Sequence, residues 1–312
     1  MGKKARVKAR SVETTRTEGE VGPRQPCPCG SGRRYKSCHG SPGGPPVAWS
    51  ARPFAGLGGE CDLIAMREFV PAATAPLRLD GSDRDVLLCT LLPGAAPALV
   101  RESGAIWLGL QVQHAYGDPS RDLAAVLGAA LEAEPGAVVG LTRAPGDGPR
   151  LQDLVTDGFD VTVHDGFGFW LDDLAEEDRS SAAALEEADL AAAPTARLDG
   201  VDAAYWTAMG EREFLRWVRP EDEDPLLDAL ARLHTAREDH LVDGARLIGM
   251  FRAHGVLTPV WDLPPGTGSD ALTGPAAAFD RRLAETLADA RPLHTAERAA
   301  RSGLASRQVT LH

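Results

Sequence analysis

The chain has 312 residues and 43% hydrophobic content, enough for one large or two ordinary domains with a real core. Its formal net charge of −12 is unevenly spread, since residues 1–40 carry ten Lys and Arg against three Asp and Glu, and residues 41–290 carry 19 basic against 41 acidic. These charges argue against nucleic-acid or anionic-membrane binding by the body and leave the N-terminal segment as the plausible anion binder.

Residues 1–25 are polar and basic and lack hydrophobic periodicity, which predicts a disordered arm. Five basic side chains fall in its first ten residues: Lys3, Lys4, Arg6, Lys8 and Arg10. The arm is either an electrostatic contact for RNA or acidic lipid, or a solvated tail. No apolar run follows these charges, so no targeting segment is predicted, and the longest apolar run, residues 86–92, is too short to span a bilayer.

Residues 26–40 contain a compact set of metal-ligand side chains: Cys27, Cys29, Cys38 and His39. Three thiolates and one imidazole make a closed tetrahedral set that favours zinc. Gly30 and Gly32 let the chain turn between the two ligand pairs. So short a segment cannot bury a core, and bound metal would supply its folding energy. The alternative is that the Cys pairs are free thiols or a disulfide.

This stretch closely resembles the SEC-C motif, the zinc-binding tail of the preprotein translocase ATPase SecA. The matching residues are Cys27, Cys29, Gly30, Ser31, Gly32, Lys36, Cys38 and His39. The resemblance implies Zn²⁺ bound by the three cysteines and His39, and a partner such as an acidic SecB-like chaperone, anionic lipid or the ribosome. Arg33, Arg34 and Lys36 give the module a basic face for that partner.

The rest of the chain shows none of the motifs of the SecA motor. It has no phosphate-binding loop, no dinucleotide-binding glycine pattern after a strand and no nucleophile elbow, so no nucleotide is expected. As a whole, the chain resembles uncharacterised bacterial proteins that carry an N-terminal SEC-C module and an unassigned α+β body.

A Pro/Gly linker is predicted over residues 41–54, followed by an α+β domain over 55–173. Its sheet is predicted to be mixed and mostly antiparallel. Its elements are a helix at 61–69, a strand at 85–92, a hairpin of 98–100 with 106–112, a helix opened by Asp118 and Pro119, a strand at 137–141, and a hairpin of 159–163 with 167–171 around His164-Asp165-Gly166.

Residues 174–290 show mainly helical periodicity and predict a helical C-terminal region. Its helices are 178–193, 202–218, a long one from 224 to 254 with a possible break near 235–239, and a last one that carries Phe279, Leu283 and Leu287. Residues 291–312 are expected to be a flexible tail. The fold class is therefore α+β, with a zinc module at the N-terminus.

Two cysteines, Cys61 and Cys89, lie outside the motif in apolar contexts. We expect them to be unligated and not bonded to each other, with Cys89 buried as a small hydrophobic residue. Free thiols together with a thiolate zinc site favour a reducing cytoplasm.

Acid–base or metal chemistry in the body has one candidate group, formed by Glu60, Asp62, Glu68, His114 and Asp118. Its spacing matches no known motif, and such carboxylates more often are solvated or cap helices. His164 beside Asp165 is a further candidate base, although His and Asp are also common in turns. His234, His240 and His254 lack the spacing of a helical metal pair and are expected to be core or surface residues. No catalytic residue is assigned.

The sequence favours a binding module, in which the basic zinc motif recognises a partner in a process linked to protein export. The alternative is an enzyme in the α+β body with SEC-C as a targeting module. A third possibility is a DNA- or RNA-binding protein that uses the basic arm.

Overall fold

The structure is a computed structural model that describes residues 34–37, 50–112, 116–141, 145–156, 158–171 and 182–310. Two sheets of six strands each organise these residues. Six helices accompany them: α1 (Glu60–Glu68), α2 (Pro119–Glu132), α3 (Ala182–Ala191), α4 (Glu223–Ala236), α5 (Thr273–Leu287) and α6 (Thr295–Ala305). The predicted α+β class is confirmed.

The first sheet comprises β1 (Ala73–Leu79), β2 (Ser82–Cys89), β3 (Ala98–Val100), β4 (Ile106–Gly109), β5 (Val138–Val139) and β6 (Thr162–Val163), in the order β5-β3-β4-β2-β1-β6. Its strands pair antiparallel except β2 with β4. Ile106 and Leu108 pack on the side of α1 and α2, whereas Trp107 packs against Phe167, Phe169 and the region of α3. Because both faces of β4 are covered, its side chains are uniformly buried.

The second sheet comprises β7 (Thr195–Arg197), β8 (Ala204–Met209), β9 (Arg212–Trp217), β10 (Arg246–Ala253), β11 (Val256–Leu263) and β12 (Gln308–Thr310), in the order β12-β10-β11-β9-β8-β7. Its strands pair antiparallel except β10 with β12. Helices α4, α5 and α6 share its main core with Trp217 and Trp261. Ala203, which precedes β8, and Tyr205 of β8 pack in the core of the first sheet.

Several local predictions match the structure. Helix α1 and the β3–β4 hairpin form where expected, and α3 and α5 fall within their predicted segments. Helix α2 begins with Pro119 after Asp118, whose side chain accepts a hydrogen bond from the Arg121 backbone N–H. Capping of this kind depends on a few adjacent residues and can therefore be predicted from the sequence.

The predicted helical C-terminal region is wrong over residues 202–218 and 246–254. The first segment is the β8–β9 hairpin, with Gly210 at φ 63° in its turn, and the second becomes β10, joined to β11 through His254 and Gly255 at φ 48° and 84°. Helix α4 ends at Ala236, where Arg237 takes the left-handed conformation. The helix-favouring residues of these strands are overridden by cross-strand pairing and burial of alternate side chains.

Three further predictions need correction. The hairpin around His164-Asp165-Gly166 does not form: β6 pairs with β1, and Gly168–Leu171 is a 3₁₀ turn that buries Phe169 and Trp170. The predicted tail contains α6 and β12, anchored by Leu304 in the core and by pairing with β10. The end of the predicted linker is not a free spacer, because Phe54 is fully buried.

Two free thiols lie in the body. Burial, reinforced by the charges of Glu60 and Asp62, raises the pKa of Cys61 to about 12, and burial also raises the pKa of Cys89. Because the thiolate is the reactive form, alkylation of both cysteines should be much slower in the folded chain than in the unfolded one. Peptide mapping after iodoacetamide treatment should find both cysteines unmodified before unfolding and alkylated after it. A disulfide joining them in freshly purified protein would contradict the prediction that they are unpaired.

No helix in the described ranges is both long and apolar enough to cross a lipid bilayer.

Candidate functional site

The acidic residues of α1 hold the two halves of the body together. Asp62 receives two hydrogen bonds from Arg197 of β7, both 2.9 Å, and one of 2.6 Å from the Tyr205 hydroxyl of β8. Burial first, and then the charge of Asp62, raises the pKa of Tyr205, so the hydroxyl stays protonated and donates. Asp62 is thus committed to a buried structural network rather than to an open site.

Glu60 and Glu68 are also engaged. Glu60 accepts hydrogen bonds of 2.8 and 2.9 Å from Arg52, which in turn donates to the Pro220 carbonyl. Glu68 lies 2.7 Å from His254 Nε2 across the junction of the sheets. Burial alone would raise the pKa of Glu68, but His254 and Arg67 together hold it below its ordinary value.

The remaining members of the predicted group do not complete a catalytic set. Asp118 caps α2 and also accepts a hydrogen bond of 2.9 Å from Arg150 Nε. His114 lies outside the described residues. Asp118 therefore serves as the helix cap that the sequence analysis left open, whereas Glu60, Asp62 and Glu68 form ion pairs and hydrogen bonds that it did not predict.

The histidines that the sequence analysis considered as candidate bases or metal ligands have side-chain partners or lie at the surface. His164 Nε2 lies 2.8 Å from Thr74 Oγ1, and His234 Nδ1 lies 2.6 Å from Asp239 Oδ2. His240 lines a shallow surface depression with His234 and Asp239. Within the described ranges, no three His, Cys, Asp or Glu residues are placed to hold a metal ion.

A cavity of about 430 Å³ lies between the C-terminal end of α1, the loop of residues 93–97 and the first turns of α2. Gly109 lets this loop sit directly on β4, because a Cβ there would come within 2.5 Å of the Ala96 carbonyl oxygen. The loop itself takes two successive left-handed residues, Gly94 at φ 65° and Ala95 at φ 53°. Such strain in an alanine persists only where the surroundings hold it.

Two charged side chains of opposite sign line this cavity, Arg67 from α1 and Asp122 from α2. Asp122 is only 8% exposed; its Oδ2 accepts a hydrogen bond of 2.7 Å from the Tyr116 backbone N–H, and its Oδ1 has no partner among the described residues. Burial raises the pKa of Asp122 to about 6, against the opposing effects of that hydrogen bond and of Arg67. A buried carboxyl with a shifted pKa at a cavity wall is typical of a functional site.

The sequence analysis missed this pair. Asp122 lies four residues before Val126 and eight before Ala130, so it falls on the buried stripe of α2. A charged residue on an apolar helical stripe was the available signal. Arg67 carries no comparable signal, since its place in the cavity depends on how α1 packs.

The N-terminal motif lies largely beyond the described part of the chain. The four predicted zinc ligands, Cys27, Cys29, Cys38 and His39, and also Arg33, belong to segments that the structure does not describe. Arg34 and Lys36 are described and exposed, and Lys36 belongs to the 3₁₀ turn Tyr35–Ser37.

Comparison with protein families divides the chain into two matched regions. A model of the family of unknown function DUF5926 matches residues 53–312, and the SEC-C motif model matches residues 24–41. The predicted resemblance to the SEC-C motif is confirmed. No solved structure shows a significant match to the chain.

Among curated proteins, two SecA sequences match a short segment. The protein translocase subunit SecA of Rubrobacter xylanophilus is 54% identical over 35 residues, covering 11% of this chain and 4% of that protein. The SecA subunit of Stutzerimonas stutzeri is 57% identical over 30 residues, covering 10% of this chain and 3% of that protein. The shared segment is thus a small fraction of both SecA relatives.

Proposed function

We propose that this chain, which belongs to the DUF5926 family of unknown function, is an adaptor whose N-terminal SEC-C module binds Zn²⁺ and docks on an acidic partner. The observation that carries the proposal is the SEC-C match at residues 24–41. The metal ligands are Cys27, Cys29, Cys38 and His39, whose thiolates and imidazole suit a closed zinc site. Arg33, Arg34 and Lys36 form the docking face.

Charge separation supports the docking role. The ten basic residues of 1–40 oppose a strongly acidic body, and Arg34 and Lys36 are exposed to solvent. We propose a SecB-like chaperone, an anionic lipid surface or the ribosome as the partner, in a process linked to protein export. A cytoplasmic location fits a thiolate zinc site together with the free thiols of Cys61 and Cys89.

Three of the carboxylates that suggested the enzyme alternative are engaged in structural contacts. Asp62 and Glu68 are held by Arg197 and His254 from the second half of the chain, and Glu60 is held by Arg52, eight residues before it. An acid–base role for them would require breaking the contacts that join the two sheets, so the adaptor function is the better supported one.

Charge reversal at the docking face is expected to weaken partner binding. Three exposed ion pairs of about 0.5 kcal/mol each correspond to roughly tenfold in affinity, and reversal adds repulsion. We therefore expect Arg33→Glu/Arg34→Glu/Lys36→Glu to lower affinity by at least about tenfold at low salt. Added salt should narrow the difference, because it screens exposed charges. Binding would be measured against purified SecB, phosphatidylglycerol vesicles and ribosomes at two salt concentrations.

The matched control is Lys3→Glu/Lys4→Glu/Arg6→Glu, which makes the same change in net charge outside the motif. It should weaken binding less, because the arm offers diffuse attraction while the zinc module fixes the geometry of its charges. Both variants should retain zinc and the unfolding temperature of the body. Equal affinity of the wild type and the Arg33/Arg34/Lys36 variant for all three probes would refute the docking role.

A further inference from the structure

We propose that the cavity between α1, the 93–97 loop and α2 binds a small zwitterion with an apolar body, of which an apolar α-amino acid is the simplest example. The described residues that line this site all belong to the body and lie outside the SEC-C match. It therefore stands or falls independently of the adaptor function.

The cavity has the size and lining of a small-molecule site. Its volume of about 430 Å³ falls within the range of about 300–1,000 Å³ that is usual for ligand pockets. Pro97, Leu123 and Val126 contribute apolar wall, and Val138, also in the lining, is 70% exposed.

Asp122 supplies the anionic end of the site. One of its oxygens is satisfied by the Tyr116 backbone N–H, while Oδ1 is buried without a partner among the described residues. A buried acceptor without a donor is costly, and the cost is largest for a charged group. An ammonium group brought to Asp122 would satisfy this oxygen by a charge-assisted hydrogen bond.

Arg67 supplies the cationic end. Its Nη1 donates a hydrogen bond of 2.8 Å to the Leu110 carbonyl, and its Nε lies 3.7 Å from Glu68. A guanidinium has five N–H donors, so most of those of Arg67 have no hydrogen-bond acceptor within the described residues. Burial lowers the pKa of Arg67, and a ligand carboxylate would restore the stabilisation that the cation loses in the interior.

The two charges together favour a zwitterion over an amine or an acid. A simple amine would pair with Asp122 but bring no acceptor to the N–H donors of Arg67 that Leu110 and Glu68 leave over, and a simple acid would leave Asp122 Oδ1 unpaired. Sites built around buried polar groups discriminate strongly against ligands that leave one of those groups unpaired. The apolar walls then select the body of the ligand.

The buried carboxyl of Asp122 also lowers the free energy of unfolding when it is ionised. A folded pKa raised above the ordinary value means that the native state favours the protonated form, so above about pH 6 the ionised carboxylate destabilises the fold. Asp122→Asn keeps the shape and an acceptor for Tyr116. We expect this variant to unfold at a higher temperature than the wild type at about pH 8.

The test compares three ligands that share one apolar body: L-phenylalanine, phenethylamine and 3-phenylpropanoate. Titration calorimetry on the full-length protein should give L-phenylalanine an affinity at least about tenfold above that of the other two. The proposal is overturned if the amine or the acid binds as tightly as the amino acid, or if none of the three binds at millimolar concentrations.

Two variants assign the ends of the ligand. In Asp122→Asn, L-phenylalanine should no longer bind more tightly than 3-phenylpropanoate. In Arg67→Gln, it should no longer bind more tightly than phenethylamine. Arg84→Gln makes the same substitution on β2, outside the cavity. It should change neither the amino acid-to-acid nor the amino acid-to-amine ratio of affinities. Should Arg67→Gln fail to fold, the ligand series on the wild type and on Asp122→Asn still decides the matter. An unchanged series in Asp122→Asn would contradict the assignment.

The pH dependence of the affinity for L-phenylalanine provides a second test. The groups that face Asp122 are the Tyr116 backbone N–H, Arg67 of α1 and Asp118 of its own helix. Because an ammonium requires the ionised carboxylate, the wild-type affinity for L-phenylalanine should fall towards tenfold per pH unit below about pH 6. The Asp122→Asn variant should show no such dependence, and a wild-type affinity that is flat across this range would count against the pairing.

Discussion

Replacing Cys27 and Cys38 together by serine is expected to abolish zinc binding, which we propose to be one equivalent per wild-type chain. The two residues belong to different ligand pairs, so the variant keeps only Cys29 and His39 and cannot close a tetrahedral site. Structural zinc contributes on the order of 10–16 kcal/mol to the folding of short zinc modules, and its loss should unfold the motif. Elemental analysis of the purified, dialysed protein measures the result.

The control for this experiment removes the two thiols of the body instead. Cys61→Ser/Cys89→Ala should keep one zinc per chain, since both residues are free thiols away from the motif. The Cys27→Ser/Cys38→Ser variant should retain the unfolding transition of the body, whose described cores are built from residues beyond position 50. Stoichiometric zinc in that variant would show that the ligands lie elsewhere.

The second large effect is expected from Asp62→Ala. This change leaves Arg197 and the buried Tyr205 hydroxyl without their shared acceptor at the junction of the two sheets. Because Arg197 is a quarter exposed and also has Asp202 at 3.9 Å, we expect the loss to be about 1–3 kcal/mol, mainly from the unpaired Tyr205 hydroxyl and guanidinium hydrogen bonds. Urea denaturation should show a lower midpoint, and Tyr205→Phe, which removes one hydrogen bond, should cost about 1 kcal/mol.

Asp222→Ala is the matched control for Asp62. Asp222 also faces an arginine, Arg52, at 3.7 Å, but its side chain is 87% exposed. Exposed pairs of this kind contribute little, and Asp222, although it is the N-cap residue of α4, makes no side-chain cap hydrogen bond, so its midpoint should fall by much less than that of Asp62→Ala. Equal midpoints for Asp62→Ala and the wild type would mean that the Asp62 network does not stabilise the fold.

The hydrogen bonds and ion pairs of α1 also connect the two halves of the body. Asp62, Glu60 and Glu68 all lie on α1, yet their partners include Arg197, Tyr205 and His254 from the second half of the chain. Helix α1 is therefore one of the elements through which the first sheet contacts the second. The cavity beside Arg67 lies at the C-terminal end of this same helix.

The sequence by itself determined the features that depend on neighbouring residues. The Cys-x-Cys and Cys-His pairs identify the SEC-C motif because a metal site in so short a segment needs its ligands at fixed spacing. Asp118 and Pro119 mark the start of α2 because a cap acts within one turn. The β3–β4 hairpin follows from two short apolar runs around a Gly-containing turn.

Only the tertiary structure decided the features that depend on distant partners. Residues 212–217 read as helical in isolation and become β9 because β8 and β11 pair with them on either side. Asp62 and Arg197 are 135 positions apart, and no local pattern links them. Asp122 and Arg67 share a cavity because α1 and α2 pack on the same side of the first sheet. Local propensities and caps act over a few residues, whereas burial and ion pairing are settled only when the sheets and helices come together.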